Sequence, residues 1–368
     1  MAEPFVLNHA ELKQMLVQPP FASADWPGTG GVLKALPEHF QVEEILPYAP
    51  CGEGEHVFIT LRRSGWNTAD VAHMLGRAFG LKEMDIGWGG RKDRHAVTTQ
   101  TFSLRLPVTI PPTRVETQLA SLPFEIIAVN RHRNKLKTGH VAANRFEIIL
   151  SQPGPEALER AEAIVEALKH DGLPNYYGGQ RFGVAFGNLQ RAAALVRRGK
   201  AHGRRDAFTV SVLQSALFNC WLIARIQRGQ FRTLLEGDVV RKTDTGGLFI
   251  VEDLEEASRR FAAGLISYTG PIYGHKMMAA TGAAGIFEAQ LLQQYGLELS
   301  RFKLLRAPGS RRPAVLYPKD LTVQPVAEGL YFRFTLPAGA YATTLMREFT
   351  RSDSTAVPDD ESGRSNSH

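Results

Sequence analysis

Residues 87–100 read GWGGRKDRHAVTTQ, the densest run of reactive side chains in the 368-residue chain. Gly87, Gly89 and Gly90 permit close or left-handed backbone geometry just ahead of Arg91, Lys92, Asp93, Arg94 and His95. Such a loop can hold a carboxylate amid positive charge that keeps it ionised and also faces phosphate. Asp93 in that setting could serve as a nucleophile, as a general base or as the anchor of a salt-bridge network. The GxxxxGK[ST] order of a phosphate-binding loop is absent, which argues against an ATPase.

A loop of this kind needs a folded body, and the composition supplies one. The chain is 43% hydrophobic and 22% charged, which excludes a wholly disordered chain, and its length predicts about two compact units. Lys and Arg total 43 against 37 Asp and Glu, giving a net charge of +6. The tail after Thr350 holds two arginines and four acids, so the rest of the chain carries +8. That surplus favours a nucleic-acid partner. Cys51 and Cys220 stand far apart without metal-ligand spacing, which predicts neither a zinc site nor a disulfide framework and fits a reducing compartment. The first twenty residues, with Glu3, Glu11 and Lys13, do not read as a signal peptide. The apolar stretch from Ala216 to Ile226 reads as too short to cross a bilayer, so a cytoplasmic protein is expected.

The elements around the loop follow from period. Alternation predicts strands over Gly31–Tyr48, His56–Arg62, Thr101–Val108, Phe124–Arg131 and Arg145–Leu150, with Val57, Ile59 and Leu61 on one face. Asn67, Thr68 or Asp70 can cap a helix through Val71, Leu75 and Ala78, with Gly80 as its stop. Pro153, Gly154 and Pro155 then break the pattern. The chain turns mainly helical, over Glu156–Lys169, Gly187–Arg198, Val210–Arg228, Leu254–Gly264 and Gly285–Tyr295. Strand alternation returns at Ala314–Tyr317, Leu321–Val326 and Gly329–Leu336. This order fits tandem domains or one domain interrupted by an insertion.

The run GRKDRHAVTTQ resembles the signature of the TruD family of tRNA pseudouridine synthases. The likeness continues through GHVAANRF at Gly139–Phe146, LPNYYGGQRFG at Leu173–Gly183, SALFN at Ser215–Asn219, LYP at Leu316–Pro318 and LPAGAYATTLMRE at Leu336–Glu348. The resemblance implies an α+β fold. A pseudouridine synthase-like catalytic domain with a mixed or antiparallel sheet would span residues 1–154 and 302–350. It would be split by a mainly helical TruD-type insertion domain over 155–301 and followed by a disordered tail over 351–368. It also implies isomerisation of uridine to pseudouridine, at position 13 of tRNA, with neither cofactor nor metal, tRNA as the partner, and no membrane or obligate protein partner.

By the same resemblance Asp93 matches the catalytic aspartate. Lys92 would orient Asp93 or the target phosphate, and Lys34, ahead of PEHFQVEE, matches another active-site lysine. Asn144 and Phe146 match the NxF element, in which the ring stacks on the flipped pyrimidine and the amide fixes the loop. Gln180 and Arg181 would shape the substrate cleft, and Arg347 would approach the site from the returning segment. Tyr177 stands where the family often has phenylalanine. Arg131, Arg133, Lys135 and Lys137, with Arg197, Arg198, Lys200, Arg204 and Arg205, offer phosphate contacts. Two competing readings are a noncatalytic structured-RNA-binding protein and a carboxylate-dependent hydrolase, the second weakened by the lack of a second positioned acid or base.

Overall fold

A computed structural model describes residues 7–352. The described residues divide into two compact units, one comprising Trp26–Lys169 and Pro318–Ala342, the other residues 7–25, His170–Tyr317 and residues 343–352.

The unit holding residues 87–100 is built on a nine-stranded sheet. Its main path runs Lys319–Val326, Gly329–Pro337, Ala143–Ser151, Phe40–Ile45, Val97–Arg105, His56–Arg63 and Glu125–His132, with Val32–Leu33 beside Ala143–Ser151 and Ile86–Trp88 beside Val97–Arg105. All of these pairs are antiparallel except Phe40–Ile45 with Val97–Arg105, which are parallel. The sheet is therefore mixed. Directly opposed residues share a face, so the register Leu336, Asn144, Glu44 and the neighbouring register Phe334, Phe146, Val42 each lay a row of side chains across three strands.

Val57, Ile59 and Leu61 do share a face, and they pack with Val71, Leu75, Phe102, Leu104 and Leu119 into a core beneath two helices, Thr68–Phe79 and Pro112–Leu119. Asn67 Oδ1 accepts the Asp70 N–H at 3.0 Å and starts the first helix, and Gly80 ends it at φ 65°. The helix Pro112–Leu119 is not signalled by period, because its eight residues hold only Val115 and Leu119 in phase with the core.

The other unit centres on the 25-residue helix Gly203–Gln227, whose Leu217, Phe218, Trp221 and Leu222 are almost wholly buried. This helix corrects the expectation drawn from its apolar stretch. It is long and apolar enough to cross a bilayer, with mean hydropathy 1.5 over its best window, yet 78% of that window is buried inside the protein. Leu12 and Leu16 of helix His9–Val17 join the same core. A four-stranded antiparallel sheet, Leu248–Ile250, Val239–Lys242, Ile266–Ile272 and Ser310–Pro313, lies largely in a stretch whose period reads as mainly helical.

The limits of the units differ from the expected 154/155, 301/302 and 350/351. Helix Ala157–Asp171 stays largely with the nine-stranded unit, burying Ala157, Ala161, Ile164, Val165 and Leu168. Residues 7–25 join the helical unit, where Ser23 Oγ donates to Glu348 Oε2 at 2.7 Å. Of the segment expected to be a disordered tail, only Arg351 and Ser352 are described, and Arg351 Nη2 donates to the Ser23 carbonyl at 2.5 Å; the remainder lies outside the described residues.

Candidate active site

Residues 89–96 connect the antiparallel strands Ile86–Trp88 and Val97–Arg105, at the point where Val97–Arg105 begins its parallel pairing with Phe40–Ile45. Two of the three glycines, Gly87 and Gly89, act here by permitting close approach. None of the three adopts positive φ. A β-carbon on Gly87 would stand 2.0 Å from the Leu136 carbonyl oxygen, and one on Gly89 would stand 2.5 Å from a Val141 methyl, whereas Gly90 faces open space. The expected left-handed geometry sits instead at Lys34, with φ 59°.

Lys34 is the immediate partner of Asp93. Its Nζ lies 2.7 Å from Asp93 Oδ2 and 4.5 Å from the centroid of the Phe40 ring. The other Asp93 oxygen accepts the His95 N–H at 3.1 Å. Partial burial pushes the Asp93 carboxyl upward. The hydrogen bond from Lys34, the His95 N–H and the charge of Lys34 together outweigh it and hold the group below the ordinary aspartate value. Asp93 is thus a pre-ionised carboxylate that stays 35% exposed and reachable.

Lys92 points elsewhere. Its Nζ donates to Asn144 Oδ1 at 2.6 Å and lies 3.1 Å from Glu44 Oε2, while its N–H donates to Thr68 Oγ1 at 2.9 Å. Gln100 bridges beneath, donating to Glu44 Oε2 at 3.3 Å and to the Gly90 carbonyl at 2.7 Å. Arg63 Nη2 completes the layer, donating to Gln100 Oε1 and Thr68 Oγ1, each at 3.2 Å. Burial lowers the Arg63 pKa to about 10, opposed by the charges of Asp70, Asp93 and Glu44. The same burial raises Glu44, against the charge and hydrogen bond of Lys92. This polar layer clamps the loop to the helix start on one side and to the strands of Glu44 and Asn144 on the other.

Phe146 is 7% exposed. It stacks on Phe334 at 5.3 Å between centroids and meets Phe40 edge-on at 6.0 Å. Lys34, Phe40, Phe146 and Phe334 therefore form a contact chain running from the Asp93 carboxylate into the sheet. Beside helix Thr68–Phe79 a cleft of about 910 Å³ opens, lined by Trp88, Arg91, Lys92 and the helix.

The family model described as tRNA pseudouridine synthase D (TruD) matches residues 20–208 and 204–349. A tRNA pseudouridine synthase D of Anaeromyxobacter dehalogenans is 42% identical over 93% of this chain and 99% of its own length. One of Thermus thermophilus is 40% identical over 89% and 91%. The chain belongs to the TruD family of tRNA pseudouridine synthases. A solved Methanosarcina mazei structure described as a TruD protein, 22% identical, superposes with a TM-score of 0.74 over 93% of this chain and 98% of that one, so the two share a fold. The mixed α+β architecture is that of the family, and pseudouridine synthase activity comes with membership.

Five of the residues singled out from sequence, Lys34, Lys92, Asp93, Asn144 and Phe146, meet in the nine-stranded unit. Gln180, Arg181 and Arg347 belong to the other unit. Gln180 lies exposed on the short helix Gly179–Phe182. Arg347 is 8% exposed, donates to the Pro19 carbonyl at 2.6 Å and covers the Phe21 ring at 3.9 Å, contacts that hold the N-terminal segment. The Tyr177 ring centroid lies 4.1 Å from the Arg312 guanidinium.

Glu44, Gln100, Arg63, Phe40 and Phe334 are not marked as site residues by the sequence. One signal is present. Glu44 falls in phase with Phe40 and Val42, the buried face of its strand, and a carboxylate in that phase demands a buried cation.

Proposed function

We propose that this chain isomerises uridine to pseudouridine at position 13 of tRNA, in the cytoplasm, with Asp93 as the nucleophile. The observation that carries the assignment of Asp93 is the 2.7 Å pair with Lys34, which holds an accessible carboxylate below its ordinary value against the push of burial. The target uridine leaves its stack and enters beside Asp93. The carboxylate adds to the nucleoside and the bond between C1′ and N1 breaks. The uracil turns and rejoins C1′ through C5, the bond to the carboxylate breaks and frees Asp93, C5 loses its proton and N1 gains one, so the reaction is an isomerisation that consumes nothing.

Lys34 sets the charge of Asp93, Lys92 and Asn144 fix the loop against the sheet, and Phe146 with Phe40 and Phe334 backs the pyrimidine. Phenylalanine offers no proton acceptor, so the C5 proton passes to another group or to water. The test is to incubate the protein with unmodified tRNA, map pseudouridine at nucleotide resolution and repeat with Asp93→Ala. Conversion at position 13 that vanishes in the variant while tRNA binding persists is the expected result. Equal conversion by both proteins removes Asp93 as nucleophile, and binding without conversion in the unaltered protein favours an RNA-binding protein that has lost catalysis.

A further inference from the structure

In the helical unit, Arg225 and Arg311 have fully buried side chains and each faces a carboxylate, Asp238 at 2.9 Å and Glu288 at 2.7 Å. Arg181 is arranged differently. Its Nη2 donates to Ser211 Oγ at 2.8 Å and its Nε to Ser215 Oγ at 3.2 Å, and its guanidinium lies 5.3 Å from the Phe208 ring centroid and 5.9 Å from that of Tyr177. Among the described residues no acidic side chain pairs with it. Two neutral hydroxyls and two ring faces orient the cation without cancelling its charge, and Nη1 keeps its donors.

Phe208 is 49% exposed. On helix Gly203–Gln227 the spacings of three and four residues place Arg204, Arg205, Phe208, Ser211 and Ser215 along one side. Asp206, the nearby carboxylate, is already engaged by Arg198 and by the His202 N–H at 2.7 Å. Arg204 and Arg205 remain exposed with no acidic partner among the described residues. Folding alone does not favour this arrangement, since burial of a phenylalanine stabilises by about 2 kcal/mol and clustered cations repel. An exposed aromatic ring with arginines on the same side of its helix can hold an unpaired nucleotide, the ring taking the base and the cations the flanking phosphates.

We propose that Phe208, Arg181, Arg204 and Arg205 form an RNA subsite on the helical unit, with Phe208 stacking on an unpaired base of the tRNA and the arginines holding the adjoining phosphates. It rests on the tRNA reading above but not on the role of Asp93.

The experiment measures binding of unmodified tRNA, and of heparin as a polyanion without bases, to the full-length Asp93→Ala protein between about 50 and 200 mM salt. Adding Arg204→Gln with Arg205→Gln is expected to reduce the slope of log affinity against log salt by about 1.5 to 2 for tRNA. Phe208→Leu is expected to weaken tRNA binding by about 5- to 100-fold, Phe208→Trp to keep it, and neither to change heparin binding. All three positions are exposed, so melting temperatures should stay at the parent value. An unchanged slope in the arginine pair, parent affinity in Phe208→Leu, or an equal loss toward heparin in that variant overturns the subsite. Altered tRNA binding by these variants, with no pseudouridine made by the unaltered protein, leaves the subsite standing and removes the catalytic reading; the reverse pattern does the opposite.

Discussion

Lys34 Nζ lies 2.7 Å from Asp93 Oδ2 across 59 residues of sequence, and it reaches there from a backbone at φ 59°. A residue with a β-carbon in that region is strained by about 1 to 2 kcal/mol. Glycine relieves the strain and removes the cation together. Lys34→Gly should therefore melt within about 3 °C of the parent, while conversion falls about a hundredfold as Asp93 loses its partner. Lys34→Met, which retains the strain, should lose as much activity and melt no higher than Lys34→Gly. Thermal melts with single-turnover assays on the two variants check this.

The same pair sets a pH dependence. Because the folded state holds Asp93 below its ordinary value of 3.8, its ionised form contributes stability and activity that are present above that value and lost only as pH falls through the lower folded one. Lys34→Met leaves burial, the largest influence, to push the carboxyl upward. A carboxyl ¹³C titration of Asp93 should show its midpoint rising in the variant; an unmoved midpoint would refute the role given to Lys34.

Glu44 and Lys92 should behave as a coupled pair. Their side chains are 0% and 9% exposed. Burial raises Glu44, so the stability tied to its protonation is full below the unfolded value and is lost as pH rises through the folded one; at neutral pH the carboxylate depends on Lys92. Glu44→Gln strands the lysine and should cost about 3 kcal/mol in urea denaturation, whereas Glu44→Gln with Lys92→Met should recover most of it. Additive losses would show that the pair does not act as a unit.

Phe146 carries both packing and stacking. Phe146→Ala should lose about 3 to 5 kcal/mol through the cavity left against Phe334 and Phe40. Phe146→Leu should keep most of the stability but slow conversion at saturating tRNA. If Phe146→Leu retains the parent rate, the ring serves the core alone.

The glycines of the loop should separate by their surroundings. Gly87→Ala drives a methyl onto the Leu136 carbonyl and should destabilise by about 1 to 3 kcal/mol. Gly90→Ala meets nothing within 4 Å and should stay within about 0.5 kcal/mol in the same denaturation series.

By itself the sequence determined the features whose causes are local. Asn67 and Gly80 delimit a helix because a side-chain cap and a left-handed stop act within one turn. Alternation marks His56–Arg62 and Gly329–Leu336, each within one residue of the observed strand, because a strand's two faces differ at every step. The run around Asp93 announces its chemistry because charge and glycine stand side by side. Only the tertiary structure decided which distant residues meet. That Lys34 serves Asp93, that Lys92 turns to Glu44 and Asn144, and that Phe146 stacks on Phe334 all follow from strand order and register, set by burial across long separations. The membership of residues 7–25 in the helical unit was likewise hidden, since Leu12 and Leu16 acquire their meaning from a helix almost two hundred residues away. Local propensity reaches a few residues; the site depends on contacts that only the closed sheet can align.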